Sequence, residues 1–159
     1  MKKLSFLFFL IVFILSSSGC SRSENFKNIN FSEVVIIEGV YQEELFSRIS
    51  MWVRFTFRRS LSYILHGNAD EGIIKLRYVY RTLIERNTTD IISIITLEVR
   101  DEEYTITFSD ASFQVYDDEG LPYGEETSLP SQDIADMLIF QWKSLADDLK
   151  QVVLRFPSE

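Results

Sequence analysis

Residues 73–83 read Ile73-Ile74-Lys75-Leu76-Arg77-Tyr78-Val79-Tyr80-Arg81-Thr82-Leu83, and along them apolar and basic side chains alternate. A period of two residues is typical of a β-strand with one face on a core and the other directed away from it. The alternation predicts an apolar face and a basic face for this strand. The apolar face holds Ile74, Leu76, Tyr78 and Tyr80, and the basic face holds Lys75, Arg77 and Arg81.

Further apolar runs on both sides of this strand predict a sheet. They are residues 33–40, 61–65, 91–100 and 104–115. In the last run the apolar positions change parity between Phe108 and Phe113, which predicts a bulge near residues 109–111. Residues 116–130 are rich in acidic side chains and also contain glycine and proline. This segment is interpreted as a loop.

Two segments repeat their apolar residues at helical spacing. The first covers residues 43–59, and the second begins after a capping Ser131 and continues towards the C-terminus. Trp52 and Trp142 lie in the middle of the two apolar faces, so we predict that they are core anchors. The pair Asp147-Asp148 lies on a helix flank and is interpreted as solvated surface.

The predicted order of elements is therefore β-α-β-β-β-β-α. It predicts a two-layer α+β fold, in which a curved antiparallel sheet carries both helices on one face and the C-terminal helix is long. The opposite sheet face is left open. Alternation places on that face Lys75, Arg77, Val79 and Arg81, beside Ile92, Ile94, Thr96, Thr105, Thr107 and Ser109.

The stretch from Val34 to Val115 resembles a bacterial family of unknown function described as having a TATA-binding-protein-like (TBP-like) fold. The matching features are the strand before Gly39, Glu44-Leu45-Phe46 leading to Trp52, Gly72-Ile73, and Arg100-Asp101 with Tyr104-Thr105-Ile106. The resemblance implies the fold of that family. It brings no known activity, cofactor or catalytic residue with it.

The N-terminus has the pattern of a secretory signal peptide over residues 1–19, with two lysines, a short apolar run and small residues. Cys20, the only cysteine, follows directly and resembles the lipid-modified cysteine of bacterial lipoproteins. The resemblance implies a diacylglyceryl group on the Cys20 thiol, and Ser21 favours sorting to the outer membrane. Residues 20–32 are then a lipidated tether and residues 33–159 a single domain. A plain signal peptide or a membrane helix are the alternatives, but the apolar run is shorter than the roughly 20 residues that a spanning helix needs.

The charge of the chain argues against nucleic-acid binding. Its 159 residues contain 24 acidic and 16 basic side chains, a formal net charge of −8. Binding to nucleic acid requires local positive charge that contacts phosphates. Basic residues are concentrated between Tyr41 and Arg86, and acidic ones between Glu98 and Asp136. The two regions could pair with each other or present faces of opposite sign.

The sequence predicts no catalytic residue, no metal site and no cofactor. Its one histidine, His66, lies beside a glycine turn and lacks the partners that a nucleophilic triad requires. One histidine and one cysteine cannot supply a zinc site. The acidic residues 117–126 lack the ligand spacing of a calcium loop and are interpreted as solvated.

Two functions remain open. The first is a non-catalytic module that binds an envelope protein partner through Lys75, Arg77 and Arg81, with residues 117–126 as the competing intramolecular partner. The second is a carrier of a small apolar ligand held between the sheet and the final helix. The two differ in whether the face of Trp142 and Phe156 is fully packed or lines a void.

Overall fold

The structure, a computed structural model, describes residues 29–155. The elements in chain order are β1 (Phe31–Ile36), α1 (Gln42–Thr56), β2 (Tyr63–Asn68), β3 (Ile73–Ile84), β4 (Asn87–Arg100), β5 (Glu103–Tyr116), β6 (Pro122–Ser128) and α2 (Gln132–Arg155). Within this range no helix has the length and apolarity that crossing a membrane would take. The predicted signal peptide, Cys20 and Phe156 lie outside the described residues.

The strands form one antiparallel sheet in the order β1-β5-β4-β3-β2. Strand β5 pairs with β1 along its first half and with β6 along its second half. The two-layer α+β fold with a curved antiparallel sheet and a long C-terminal helix is confirmed. Strand β1 begins at Phe31, so Phe31 and Ser32 belong to the sheet rather than to the predicted tether.

Strand β6 was not predicted, because it lies inside the segment interpreted as a loop. Nearly all its side chains are exposed. The strand is therefore held mainly by backbone pairing to β5, which needs no alternation of apolar residues. A strand of this kind leaves no hydrophobic pattern in the sequence.

The predicted bulge is present in β5. Ile92 is paired with Ser112, whereas Ile94 is paired with Ser109, so β5 contains one residue more than β4 between these pairs. Asp110 adopts a positive φ of 54° at this point. The extra residue returns Ala111 to the buried face of the sheet, where it is 6% exposed.

Both helices pack on the same face of the sheet and form one core with it. Trp142 of α2 is fully buried and stacks on Phe108 of β5, with ring centroids 5.3 Å apart. Trp52 of α1 is also buried and meets Phe57 edge to face. Both tryptophans thus lie in the core, as their positions in the helical patterns predict.

Side chains from distant parts of the chain complete the helix ends. Tyr41 offers no side-chain cap to α1. Instead, the backbone N–H of Gln42 donates to Asp101 Oδ1 at 2.9 Å, from the β4–β5 turn. A carboxylate at this end also suits the helix dipole. Arg48 is buried and donates to the carbonyl oxygen of Val153 in the last turn of α2.

Two features of the sequence take on structural roles here. Gly72 has a φ of +67°, and a Cβ at this position would lie 2.2 Å from the carbonyl oxygen of Val99. Only glycine fits this close approach. Asp147 and Asp148 are exposed, as the sequence indicates, and Asp148 in addition accepts a hydrogen bond from Trp52.

Candidate functional site

The candidate site is the outer face of the sheet, by which we mean the face opposite the two helices. The register of β3 and β4 pairs Lys75 with Thr96, Arg77 with Ile94, and Val79 with Ile92. In the described part of the chain, no helix covers this face. The sheet therefore brings the predicted residues Lys75, Arg77 and Arg81 to one surface.

Arg81 is bound tightly by Asp90, its cross-strand partner at the end of the β3–β4 hairpin. The guanidinium donates two hydrogen bonds to the carboxylate, at 2.6 Å and 2.8 Å. Tyr116 donates a third, at 2.9 Å, and its ring lies beneath the guanidinium. The Asp90 side chain is only 4% exposed, which makes this cluster a fixed part of the surface.

The protonation states within this cluster are fixed by their neighbours. Burial would raise the pKa of Asp90, but the hydrogen bonds from Arg81 and Tyr116 outweigh it and hold that pKa below its usual value. Burial and the hydrogen bond to Asp90 raise the pKa of Tyr116. Asp90 thus stays ionised and Tyr116 stays neutral at physiological pH, which suits a structural ion pair rather than a proton-transfer group.

Arg77 is held more loosely. Its guanidinium lies 3.5 Å from Glu126 of β6 and 5.9 Å from the ring centroid of Tyr63. Ser112 donates to the same Glu126. The acidic segment thus reaches Arg77, as the sequence suggests, but it does so as a paired strand and not as a free loop. Lys75 is exposed and forms no ion pair within residues 29–155.

The centre of the outer face is apolar but covered. Val79 and Ile92 pair between the Arg77 and Arg81 positions and are 7% and 6% exposed. The accessible part of this face includes the partly buried Ile94, Thr96 and Thr107, and, on β1, the exposed Val34 and Ile36. The accessible outer face is therefore basic along β3 and apolar along β1.

Sequence reasoning missed Asp90 and Tyr116. A signal for Asp90 exists, because folding the β3–β4 hairpin about its turn at Glu85 and Arg86 places Asp90 opposite Arg81. No comparable signal identifies Tyr116, because it has no partner in the register of β4 and reaches Asp90 only through its side chain.

Three other kinds of site remain to be considered: a catalytic histidine, a metal site and a cavity for an apolar ligand. His66 is half exposed and lies 3.4 Å from Glu71. Among the described residues, no group of three or more histidine, cysteine, aspartate or glutamate side chains could hold a metal ion. Trp142 is fully buried and packs directly on Phe108. A cavity of about 370 Å³ lies instead near the start of α2, lined partly by Ile84, Phe113 and Ile134.

Comparison with protein families matches residues 31–114, more than half of the chain, to a domain of unknown function, DUF4468, with a TBP-like fold. The chain belongs to the DUF4468 family. The match to DUF4468 runs from the start of β1 to near the end of β5. It thus includes α1 and the basic residues of the outer face, whereas Tyr116, β6 and α2 lie beyond it.

Solved structures share the DUF4468 fold over most of the chain. A TBP-like protein from Parabacteroides distasonis matches with a TM-score of 0.67 and 19% identity, over 82% of this chain and 96% of its own. A DUF4468 family protein from Bacteroides ovatus matches with a TM-score of 0.58 and 13% identity, over 82% and 88%. At these identities the likeness concerns the fold alone. A search of curated proteins gives no match.

Proposed function

We propose that this DUF4468 protein is a non-catalytic protein-interaction module of the bacterial cell envelope, lipid-anchored at Cys20 and sorted to the outer membrane. One observation carries the proposal of an interaction module: the outer face presents basic side chains whose intramolecular contacts are weak or lacking within the described residues. Lys75 has no ion pair there, and Arg77 has one long, partly exposed contact to Glu126.

The two arginines of the outer face have different roles. Arg81 is held by Asp90 and has a structural role. Arg77 can exchange partners, because a partly exposed ion pair is worth only about 0–1 kcal/mol. An acidic protein surface could displace Glu126 from Arg77 and add a contact to Lys75.

A binding role also agrees with the chemistry of this surface. Its most buried ionisable group is Asp90. Arg81 balances the negative charge of Asp90, which stays ionised. Asp90 and Tyr116, two groups of this surface whose pKa values are shifted, are therefore not the accessible, poised acid or base that catalysis by proton transfer requires. The anchoring part of the proposal rests on the sequence around Cys20, and multiple acyl chains would give the stable attachment that a single chain cannot.

Site-specific photo-crosslinking in the native envelope tests the proposal. A photo-reactive residue in place of Thr96, on the outer face, should crosslink a discrete protein. The same residue in place of Lys143, on exposed α2, is the matched control. The double variant Lys75→Glu/Arg77→Glu should reduce the Thr96 crosslink at least several-fold. An unchanged crosslink, or equal crosslinking from Lys143, would rule out this face as the binding surface.

The alternative is a carrier of a small apolar ligand between the sheet and the C-terminal helix. The cavity near Ile134 favours it, because its volume of about 370 Å³ is at the lower end of known ligand pockets. The complete burial of Trp142 disfavours it along the middle of the helix. Co-purification of a lipid or other apolar molecule, lost in Ile134→Trp, would support the carrier.

A further inference from the structure

Strand β2 forms an edge of the sheet whose outer side is open. Within residues 29–155 it pairs only with β3. Its side chains Tyr63, Ile64 and Leu65, together with Leu61 just before it, are each about half exposed. Exposed, apolar edge strands favour pairing with another chain, and most proteins protect them.

A groove of about 810 Å³ runs along one face of α1, with Ala69 of the β2–β3 turn at one end. A smaller depression of about 210 Å³ lies between the end of α1 and β2, and its lining includes Arg58, Tyr63 and Ile64. Gln42, at the start of α1, donates to the carbonyl oxygen of Ala69, whereas the end of α1 leads into β2. Helix α1 and strand β2 thus run antiparallel to each other.

The helix face in this groove carries apolar side chains, two serines and Arg54 along its middle, and opposite charges at its two ends. Phe46, Met51 and Phe55 lie along it, and Phe55 is 70% exposed. Glu43 lies at one end and Arg58 at the other. Exposed apolar side chains on a helix and on the adjoining edge strand are typical of an interface.

We propose that this surface binds a second copy of the chain in a twofold dimer. In such a dimer β2 pairs antiparallel with β2 of the second copy, and the two α1 helices pass antiparallel across the twofold axis. A contact of this type is self-complementary, because each residue of a pair occurs on both sides.

The α1 sequence fits this symmetry. With the axis between Ser50 and Met51, Glu43 faces Arg58 of the second copy, and Phe46 faces Phe55 of the second copy. Because of the twofold symmetry, the pair of Glu43 and Arg58 forms twice, once on each side of the axis. The pair of Phe46 and Phe55 likewise forms twice, closer to the axis.

The β2 sequence fits the same symmetry. Strand β2 has a bulge between Ile64 and His66, which brings Ile64 and Gly67 to the same side of the strand. With the axis at this bulge, between Leu65 and His66, Ile64 faces Gly67 of the second copy. Both residues lie on the helix side of the strand, since they pair with the buried residues Leu76 and Ile74. A Cβ on Gly67 would meet only Ile64 at 4.0 Å, so there is room over the glycine for a partner side chain.

The charge pattern selects a second copy over an acidic peptide. A uniformly acidic strand would place like charges against Glu43, and against Asp70 and Glu71 at the far end of β2. The surface is acidic at the end of Glu43 and basic at the end of Arg58. A partner must therefore have the opposite order of charges along its length, and an antiparallel second copy has this order. The outer face remains free in this dimer, so the inference does not depend on the proposed function.

The test measures the mass of the full chain, purified in density-matched detergent, by sedimentation over a range of concentrations. We expect a concentration-dependent dimer. Arg58→Glu should weaken dimerisation by about tenfold or more, because it places a glutamate opposite Glu43 at both symmetry-related contacts. Adding Glu43→Arg to Arg58→Glu restores opposite charges and should restore the dimer. This rescue separates a lost contact from a lost fold.

Cysteine crosslinking in cells gives a second readout. Ser50→Cys lies beside the axis and should form a disulfide-linked dimer on oxidation, whereas Ser144→Cys on exposed α2 should not. A wild-type monomer at all concentrations would overturn the proposal. So would Ser50→Cys crosslinks no stronger than those of Ser144→Cys, or crosslinks only to a different protein.

Discussion

Trp52 Nε1 donates a hydrogen bond of 2.7 Å to Asp148 Oδ2 and thereby joins α1 to α2. The bond lies at the border of the core, where the indole is buried and the carboxylate belongs to an exposed residue. Trp142, the corresponding anchor of α2, has an indole nitrogen without a hydrogen-bond partner in the described protein. The two tryptophans therefore stabilise the core in different ways.

Trp52 and Asp148 should show energetic coupling. Trp52→Phe loses a hydrogen bond to a charged acceptor, worth about 1.5–3 kcal/mol, in addition to packing. Asp148→Ala should then cost much less in the Trp52→Phe background than in wild type. Urea unfolding of the four proteins gives the coupling free energy. Asp147→Ala, on the neighbouring exposed carboxylate, is the control, and strictly additive losses for Trp52 and Asp148 would contradict the bond.

Trp142→Ala should lower the free energy of unfolding by about 3–5 kcal/mol, because it removes a fully buried ring that stacks on Phe108. Trp142→Phe should cost clearly less, since it keeps an aromatic ring and removes an indole nitrogen that has no partner. Chemical denaturation measures both variants. A loss near zero for Trp142→Ala would mean that the ring is exposed in solution.

Because of Asp90, the free energy of unfolding of the protein should decrease at acid pH. Its folded pKa is lowered, since the hydrogen bonds of Arg81 and Tyr116 outweigh the opposing effect of burial. Its stabilisation is therefore complete above the usual aspartate pKa of about 3.9 and is lost as the pH falls through the lower folded pKa. Asp90→Asn should reduce stability at neutral pH and flatten this acid dependence. Asp118→Asn, on the exposed β5–β6 turn, should follow the wild-type profile, and an unchanged Asp90→Asn profile would contradict the assignment.

Tyr78 should make stability depend on alkaline pH. Burial, with a smaller contribution from Tyr80, raises the pKa of Tyr78 to about 12. An unfolded tyrosine ionises near pH 10, so stability is complete below that pH and is lost as the pH rises towards 12. Tyr78→Phe should reduce this loss, whereas Tyr123→Phe, at an exposed site, should not. Unfolding free energies across this range, with tyrosinate absorbance, measure the effect; equal slopes for both variants would exclude Tyr78.

Cys20→Ala should abolish lipid attachment, because Cys20 is the only thiol and ends the signal-peptide pattern. We expect unprocessed precursor or released protein instead of membrane-bound mature protein. Metabolic labelling with a fatty acid, followed by membrane fractionation, checks this. Ser21→Ala serves as the matched control, and continued labelling of Cys20→Ala would refute the assignment. Wild-type protein found only in the inner membrane would refute outer-membrane sorting.

The sequence predicted those parts of the fold that depend on local periodicity. The alternation of residues 73–83, the helical repeats around Trp52 and Trp142, and the parity change that marks the bulge at Asp110 all correspond to structure. Side-chain direction in a strand or helix follows from the backbone period alone. The placement of Lys75, Arg77 and Arg81 on one face was predictable for the same reason.

The tertiary structure alone decided which distant groups meet. Asp101 caps α1, Asp148 binds Trp52, and β6 adds to the second half of β5. None of these contacts leaves a periodic signal, because each depends on how loops and helices close around the core. The amino-acid sequence by itself therefore determined the layers of this DUF4468 domain and the faces of its strands. Packing between elements far apart in the chain decided the caps, the ion pairs and the open edge at β2.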